Sequence, residues 1–548
     1  MFQLWYKNAV IYNLDVETYQ DSNADGIGDF VGLTRRLDYL AGLGVTCLWL
    51  APFYPTPNRD NGYDVMDYFN VDQRLGSLGD FVDFIRAAEE RGIRVIIDLV
   101  VNHTSIEHPW FQESRADEKS PYRDYYVWKD QKPEGADEFL VFPGFQKETW
   151  TYDRKAKKYY FHRFYKHQAE LNIANPAVRN EIRKIMTFWL QLGVSGFRVD
   201  AAPFLIELKS LDGAEVDEPY EYLREFRDYV SWVKGDALLL AEANIAMEDV
   251  PKYFGSGEKL HMMFNFILNQ HLMLSLVQGN AMAIREGMYQ PPAIPDQCQW
   301  GNFLRNHDEF PVGRLSQSQQ DEIYAAFAPK EEMKIYDRGI RRRLPPMLAD
   351  AEATKADVVK VLKLTHSLLM TLPGTPVMRY GEEIGMGEDM SLEERDTIRT
   401  PMQWSSEKGA GFSSADISGM IRPIVSKGHF SFKKVNVADQ QRDADSLLSV
   451  TEHMIRIRKE NPAFGWGDWQ IVETQSIHVL AHRCDHDGVT LVAIHNFSDE
   501  AQEVELDLAG KSKATLEELL SDAEYDAVKK PTDRITLGPH GYRWWRLT

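Results

Sequence analysis

Asp200, Glu242 and Asp308 each stand at the end of an apolar run, in SGFRVDA, ALLLAEAN and NFLRNHDE. One acid in such a place is weak evidence, because strand ends often carry ion pairs. Three acids with no metal-ligand cluster beside them suggest cleavage of a glycosidic bond. A retaining glycosidase needs a nucleophilic carboxylate and a general acid roughly 5–5.5 Å apart. The nucleophile must stay ionised, and a neighbouring Arg favours that by lowering its pKa. Arg198 lies two residues before Asp200, so on a strand both side chains face the same way. The acid must hold a proton, which an apolar surrounding favours, and Glu242 follows Leu238, Leu239, Leu240 and Ala241. A third carboxylate can hold sugar hydroxyls and stabilise a cationic transition state.

The elements that carry these acids form a repeating pattern. Apolar runs occur at 9–19, 45–52, 95–103, 195–201, 237–244, 261–266, 302–309 and 376–385. Their apolar residues are continuous, as in strands buried on both faces of a parallel sheet. Helical periodicity separates them, at 30–44, 78–92, 178–193 and 358–374. Eight strands alternating with helices predict a (β/α)8 TIM barrel, whose active face is the C-terminal end of the strands. An open doubly wound sheet is the alternative, and no Gly-rich phosphate-binding turn follows the first run to favour it. The barrel is expected over 1–103 and 173–465, closed by a helix at 446–461. The aromatic-rich stretch 104–172 reads as a subdomain inserted after strand 3. From 466 to 548 short alternating segments and turn signals such as DHDG predict a C-terminal antiparallel β-sandwich domain.

Composition narrows the function classes. The 548 residues carry 62 Lys and Arg against 83 Asp and Glu, for a net charge of −21. That argues against nucleic-acid binding, which needs a basic surface, and neutral sugars are indifferent to it. Hydrophobic residues at 43% rule out a disordered chain. Cys47, Cys298 and Cys484 are odd in number and far apart, so no disulfide framework is expected. Neither a secretory signal nor a membrane span is evident, and a cytoplasmic protein is the expectation.

DLVVNH, GFRVDA, AEAN and FLRNHD resemble, in order and position, the signatures of the α-amylase superfamily, glycoside hydrolase family 13. That resemblance implies Asp200 as nucleophile, Glu242 as acid/base and Asp308 as transition-state stabiliser. It implies sugar contacts from His103, Arg198 and His307. DNGYDVMDYFNV and TIRTPMQW are similar to family segments in which an Asp, here Asp64, pairs with an Arg, here Arg399, around the terminal glucose. Tyr63 would lie beneath the sugar, with Phe164 and Gln168 lining the pocket. WLAPFYPTP, VNHTSIEHPWFQESR, GIRRRLPPML and RKENPAFG resemble the trehalose synthase branch of that family. The branch implies isomerisation of maltose to trehalose, and relatives suggest a homodimer. Three segments depart from the branch: QAELN (168–172), EANIA (242–246) and APFLIELKSLDGAE (202–215). They lie near the acceptor side, and leave open an α-glucosidase or transglucosidase acting on maltose, trehalose, sucrose or another small α-glucoside. A non-catalytic, transporter-associated relative is disfavoured by the intact acids.

DSNADGIGD sets Asp21, Asn23, Asp25 and Asp29 at alternating positions, with the Ile27 carbonyl between, like the start of a calcium-binding loop. An Asx-rich turn without metal is the competing expectation. The resemblance favours a structural Ca²⁺ and implies no organic cofactor. A second family cation site would use Asn102 and the position of Glu170.

Overall fold

The computed structural model describes residues 4–207, 219–352, 357–508 and 514–548. Part of the divergent 202–215 segment lies outside the described residues.

Eight parallel strands close into a barrel: β1 (Ile11–Leu14), β2 (Cys47–Leu50), β3 (Arg94–Leu99), β4 (Gly196–Val199), β5 (Leu238–Ala241), β6 (Met262–Phe264), β7 (Gln299–Phe303) and β8 (Thr375–Arg379). Each pairs with its sequence neighbours, and β8 pairs back with β1. The expected TIM barrel is therefore the fold. Each of the eight predicted runs overlaps one of these strands, the seventh only at Asn302 and Phe303.

The strand period of two splits the apolar residues into two cores. Ile11, Trp49, Ile96, Leu238, Leu240, Phe264 and Phe303 fill the barrel. Tyr12, Leu48, Ile97, Phe197, Leu239 and Met263 face outward, into the core shared with the helices. Continuous apolar runs thus hide a strict alternation. The inward face of β5 runs Leu238, Leu240 and then Glu242. That of β4 runs Gly196, Arg198 and then Asp200. Gly196, at φ 149°, lies so close to β5 that an added Cβ would sit 2.3 Å from the Leu238 carbonyl.

Capping residues start the helices. Ser77 and Asp80 form a reciprocal capping box on Leu78–Glu90. Asn175 caps Pro176–Gln191, Asp357 caps Val358–Thr371 and Ser446 caps Leu447–Glu460. The helix expected over 30–44 is two, Phe30–Arg35 and Leu37–Leu43, broken at Arg36. There the Arg36 guanidinium leaves the helical register to lie 3.9 Å from the centre of the Trp404 ring.

Between β3 and β4 short antiparallel strands, including Trp150–Asp153 and Lys158–Phe161, form a small sheet over the active face. After Trp466 five antiparallel strands form one sheet, with a two-stranded ribbon packed on it through Val504, Leu506 and Ile535. The hairpin Val479–His486 to Val489–Asn496 turns at Asp487 and Gly488, both at positive φ, as an Asp-Gly turn requires. Trp544 and Trp545 sit on opposite faces of the last strand. Trp544 donates to Ser367 Oγ on a barrel helix at 2.8 Å, and Trp545 enters the ribbon core. The three cysteines are free, buried thiols. No helix among the described residues is long and apolar enough to cross a membrane.

Candidate active site

The three carboxylates converge at the C-terminal mouth of the barrel, in a cavity of about 480 Å³. Asp200 and Glu242 share one guanidinium. Arg198 Nη1 donates to Asp200 Oδ1 and Nη2 donates to Glu242 Oε2, each at 2.7 Å. One side chain thus holds both carboxylates at the same cavity. Arg198 also bonds Asp98, its register partner on β3. Asp98 in turn accepts from the Trp49 indole at 2.9 Å. Trp49 and Tyr63 flank the guanidinium, with ring centroids 5.3 and 5.8 Å away. The Arg is thereby fixed in direction before any ligand arrives.

The charges do not settle as the sequence suggested. Burial pushes the Asp200 carboxyl up to about 7; Arg198 pulls it down, but Asp98, Asp308 and Asp60 push it up again. Burial pushes Glu242 up to about 7 as well, again against Arg198. Asp308 behaves oppositely. Burial raises its pKa, but His307, Arg395, Arg399 and Arg198 together outweigh that and hold it below the ordinary carboxylate range. Arg395 Nη1 and Arg399 Nη2 stand 2.7 and 3.1 Å from Asp308 Oδ1. His307 Nε2 lies 3.1 Å from the other oxygen. Burial pushes the His307 pKa well below its ordinary value, against the opposing pull of Asp308. One fixed anion thus faces two carboxyls poised to share a proton.

Tyr63, His103, Phe164 and Gln168 line the same cavity. Tyr63 stacks on His307 at an interplanar angle of 3°, and its hydroxyl lies 2.6 Å from His307 Nε2. His103 Nε2 lies 2.9 Å from the Tyr63 carbonyl. Arg198, His307 and Arg399, expected to touch the sugar, do not line the cavity, and each contacts one of the acids.

The expected Asp64–Arg399 pair is not formed. Asp64 is fully buried away from the cavity, accepting from Thr56 Oγ1 at 2.7 Å and from the Arg59 and Asp60 amides. Arg399 instead donates to the His307 carbonyl at 2.9 Å and to Asp308. The acid that lines the cavity is Asp60, four residues earlier, and its Arg is Arg395. Gln168 donates to the other Asp60 oxygen at 2.8 Å. The expected segment reaches the cavity, but through Asp60 and not through Asp64. Within DNGYD both acids are candidates, and the turn through Asn61 (φ 49°) and Gly62 (φ 90°) decides which one faces inward.

The loop at 21–29 closes on itself. Asp21 Oδ1 accepts from the Asn23 and Ala24 amides, and Oδ2 from Gly26 N at 2.9 Å and from the Ser413 hydroxyl. Asp29 accepts from Ser22 N and Gly32 N. Asn23 and Asp25 bond one another and the Asp25 and Ile27 amides. Among the described residues no group of three or more His, Cys, Asp or Glu is arranged to hold a metal. The oxygens suit a hard cation, since each has a second lone pair, but the carboxylates are not gathered into a ready cage.

Residues 14–328 and 343–467 match the family model described as alpha amylase, catalytic domain. The chain belongs to the α-amylase family. Residues 488–546 match the sucrose hydrolase-like C-terminal domain. Over 551 residues the chain is 40% identical to a trehalose synthase/amylase, TreS, of Mycobacterium tuberculosis strain H37Rv, covering 99% of this chain and 90% of that protein. It is likewise 40% identical to a trehalose synthase of Pimelobacter sp. strain R48, covering 99% and 96%. Oligo-1,6-glucosidase of Bacillus cereus is 28% identical, over 98% of this chain and 99% of that one. Among solved structures, the trehalulose synthase MutB of Pseudomonas mesoacidophila MX-45 superposes with a TM-score of 0.78 at 26% identity, over 99% of each chain. Fold, family and the assignment to an enzyme of this type agree with the sequence resemblance.

Proposed function

We propose that this protein isomerises maltose to trehalose through a covalent glucosyl-enzyme. The observation that carries this reading is the blind end of the cavity, where Asp60, Arg395 and Gln168 meet beside Asp308. A chain running past them is excluded, so a terminal glucose and one further sugar are what the cavity takes. Asp200 forms a bond to C1 as the glycosidic C1–O bond breaks, and Glu242 gives its proton to the departing oxygen. In the second half Glu242 takes the proton of the anomeric hydroxyl of the released glucose. That oxygen bonds C1 and the Asp200 ester breaks. The 40% identity to proteins named trehalose synthase supports the choice of acceptor. The test is product analysis with maltose as sole substrate. Trehalose in excess of free glucose is expected. Glucose from the first time points without trehalose would make the protein an α-glucosidase.

We further propose that the 21–29 loop takes Ca²⁺ in a structural role. The alternating oxygens support this, and the inward-turned amide of Gly26 on Asp21 would brace the loop around a cation. No catalytic step involves it.

A further inference from the structure

We infer a second sugar site at the opposite end of the barrel, taking a neutral oligosaccharide. A cavity of about 980 Å³ opens there, around the turn before β1, the starts of β7 and β8, and the first strand of the C-terminal sheet. It is twice the size of the catalytic cavity, 980 against 480 Å³, and at the upper end of small-molecule sites, about 300–1,000 Å³. The catalytic acids lie at the C-terminal end of the barrel and no residue lines both cavities, so the two are separate.

Its walls have the chemistry of a carbohydrate platform. Tyr289 is 63% exposed, and its ring tilts 37° to that of Trp469, with centroids 5.7 Å apart. Tyr289 ends a helix and Trp469 begins the C-terminal sheet, so no single element needs this pair for its own packing. Such faces suit the C–H side of a pyranose, and among the described residues nothing bonds the Tyr289 hydroxyl or the Trp469 indole N–H, which leaves both for its rim. Deeper in, Lys7 is only 9% exposed and lines the cavity. Its ammonium lies 5.2 Å from the Trp466 ring centroid and forms no ion pair or hydrogen bond among the described residues. The stem is buried while the ammonium opens onto the cavity, where a ligand's oxygens can reach all three of its donors. Sugar hydroxyls would supply such oxygens. Asp296 and Asp468 line the same cavity and would accept from other hydroxyls. Mixed signs around aromatic faces favour a neutral polyhydroxyl ligand over an anion, which the two acids would repel.

The test is calorimetric titration of the full chain with maltotetraose. Saturable binding is expected, weakened about tenfold by Tyr289→Ala and by Trp469→Ala, with Trp469→Phe restoring most of it. Because Tyr289 is exposed, its loss leaves folding intact, and the KM for maltose stays within about twofold in all three. Binding that survives both alanine variants, or no binding up to the solubility limit, overturns the proposal. So does glucose 6-phosphate binding more tightly than glucose in a manner lost in Lys7→Met, which would make the cavity an anion site.

Discussion

Arg395 reaches Asp60 across the blind end of the catalytic cavity, with Nη2 3.0 Å from Oδ1, while its other nitrogen holds Asp308 at 2.7 Å. One guanidinium thus ties Asp60, on the cavity wall, to Asp308, one of the three carboxylates that converge there. Asp60→Asn and Arg395→Lys are each expected to lower kcat/KM for maltose about 10²-fold or more, since the fork geometry of Arg has no Lys equivalent. Asp64→Asn, at the buried acid outside the cavity, should lower the melting temperature more than the activity. A greater activity loss at Asp64 than at Asp60 would reverse the assignment.

The shared Arg198 predicts how the acids fail. Asp200→Asn should abolish turnover in a folded protein, because the covalent route needs a carboxylate nucleophile and an amide oxygen is too weak to replace it. Glu242→Gln should lose about 10²–10⁴-fold on maltose, yet much less on an activated aryl α-glucoside whose leaving group needs no proton. Steady-state rates on both substrates check this. Equal losses on the two would remove Glu242 from the acid role. The first product, followed by NMR, should be α-configured.

Much of this was legible in the strands and less in the loops. The inward alternation on β4 and β5 places Arg198, Asp200 and Glu242 by arithmetic once the barrel is recognised. The same arithmetic would have found Asp98, an inward acid in the middle of an apolar run and the register partner of Arg198. Asp60 and Arg395 were out of reach for a different reason. Both sit on irregular backbone, where one residue at positive φ re-aims the chain and no periodicity says which side chain points inward. Arg395 lies four residues before Arg399, and the five-residue 3₁₀ segment Glu394–Ile398 brings both to the Asp308 carboxylate. The raised Asp200 pKa was missed because the sequence shows one Arg beside one Asp, and neither the burial of the site nor the nearby Asp98, Asp308 and Asp60.

Those raised values have a consequence for stability. Glu242 goes from an ordinary value of 4.5 to about 7 on folding, with burial the largest cause. Below pH ~4.5 the folded and unfolded forms are both protonated and the difference vanishes. Between there and about 7 the folded state holds a proton the unfolded state has lost, so stability falls as pH rises. Above 7 the penalty is complete. Glu242→Gln should therefore be more stable than the wild type at pH 8, by roughly 1–3 kcal/mol, and nearly equal to it at pH 4. Denaturant midpoints at the two pH values measure it. A variant less stable at pH 8 would mean that the Arg198 bond outweighs burial.

The loop at 21–29 is tested by chelation. A ligand bound only by the native state adds stability by mass action. Added Ca²⁺ should raise the melting temperature, a chelator should lower it, and Asp21→Ala should abolish both responses. An unchanged melting temperature in the wild type would identify the loop as an Asx turn satisfied by its own amides.

The last prediction concerns what keeps water from the glucosyl-enzyme. Isomerisation requires the released glucose to stay, turn and attack, so the cavity must remain closed between the two half-reactions. Three segments meet over its mouth. Tyr165 comes from the insertion after β3, Tyr336 from the loop after β7 and Glu394 from the loop after β8. The Glu394 carboxylate accepts from both phenols, from Tyr336 at 2.8 Å. The ring of Phe142 stacks on Tyr165 and packs against Tyr336, with centroids 4.7 and 4.6 Å away. None of these groups is placed to touch the reacting carbon, so they act on closure. Tyr336→Phe removes one of the two phenol bonds and keeps the ring contact. Glu394→Gln replaces the charge that makes both bonds strong. Each should raise the ratio of glucose to trehalose formed from maltose several-fold, Glu394→Gln more than Tyr336→Phe, while total maltose consumption changes little. The opposite pattern, slower consumption at an unchanged product ratio, would show that the clasp aids substrate binding and that water is excluded elsewhere.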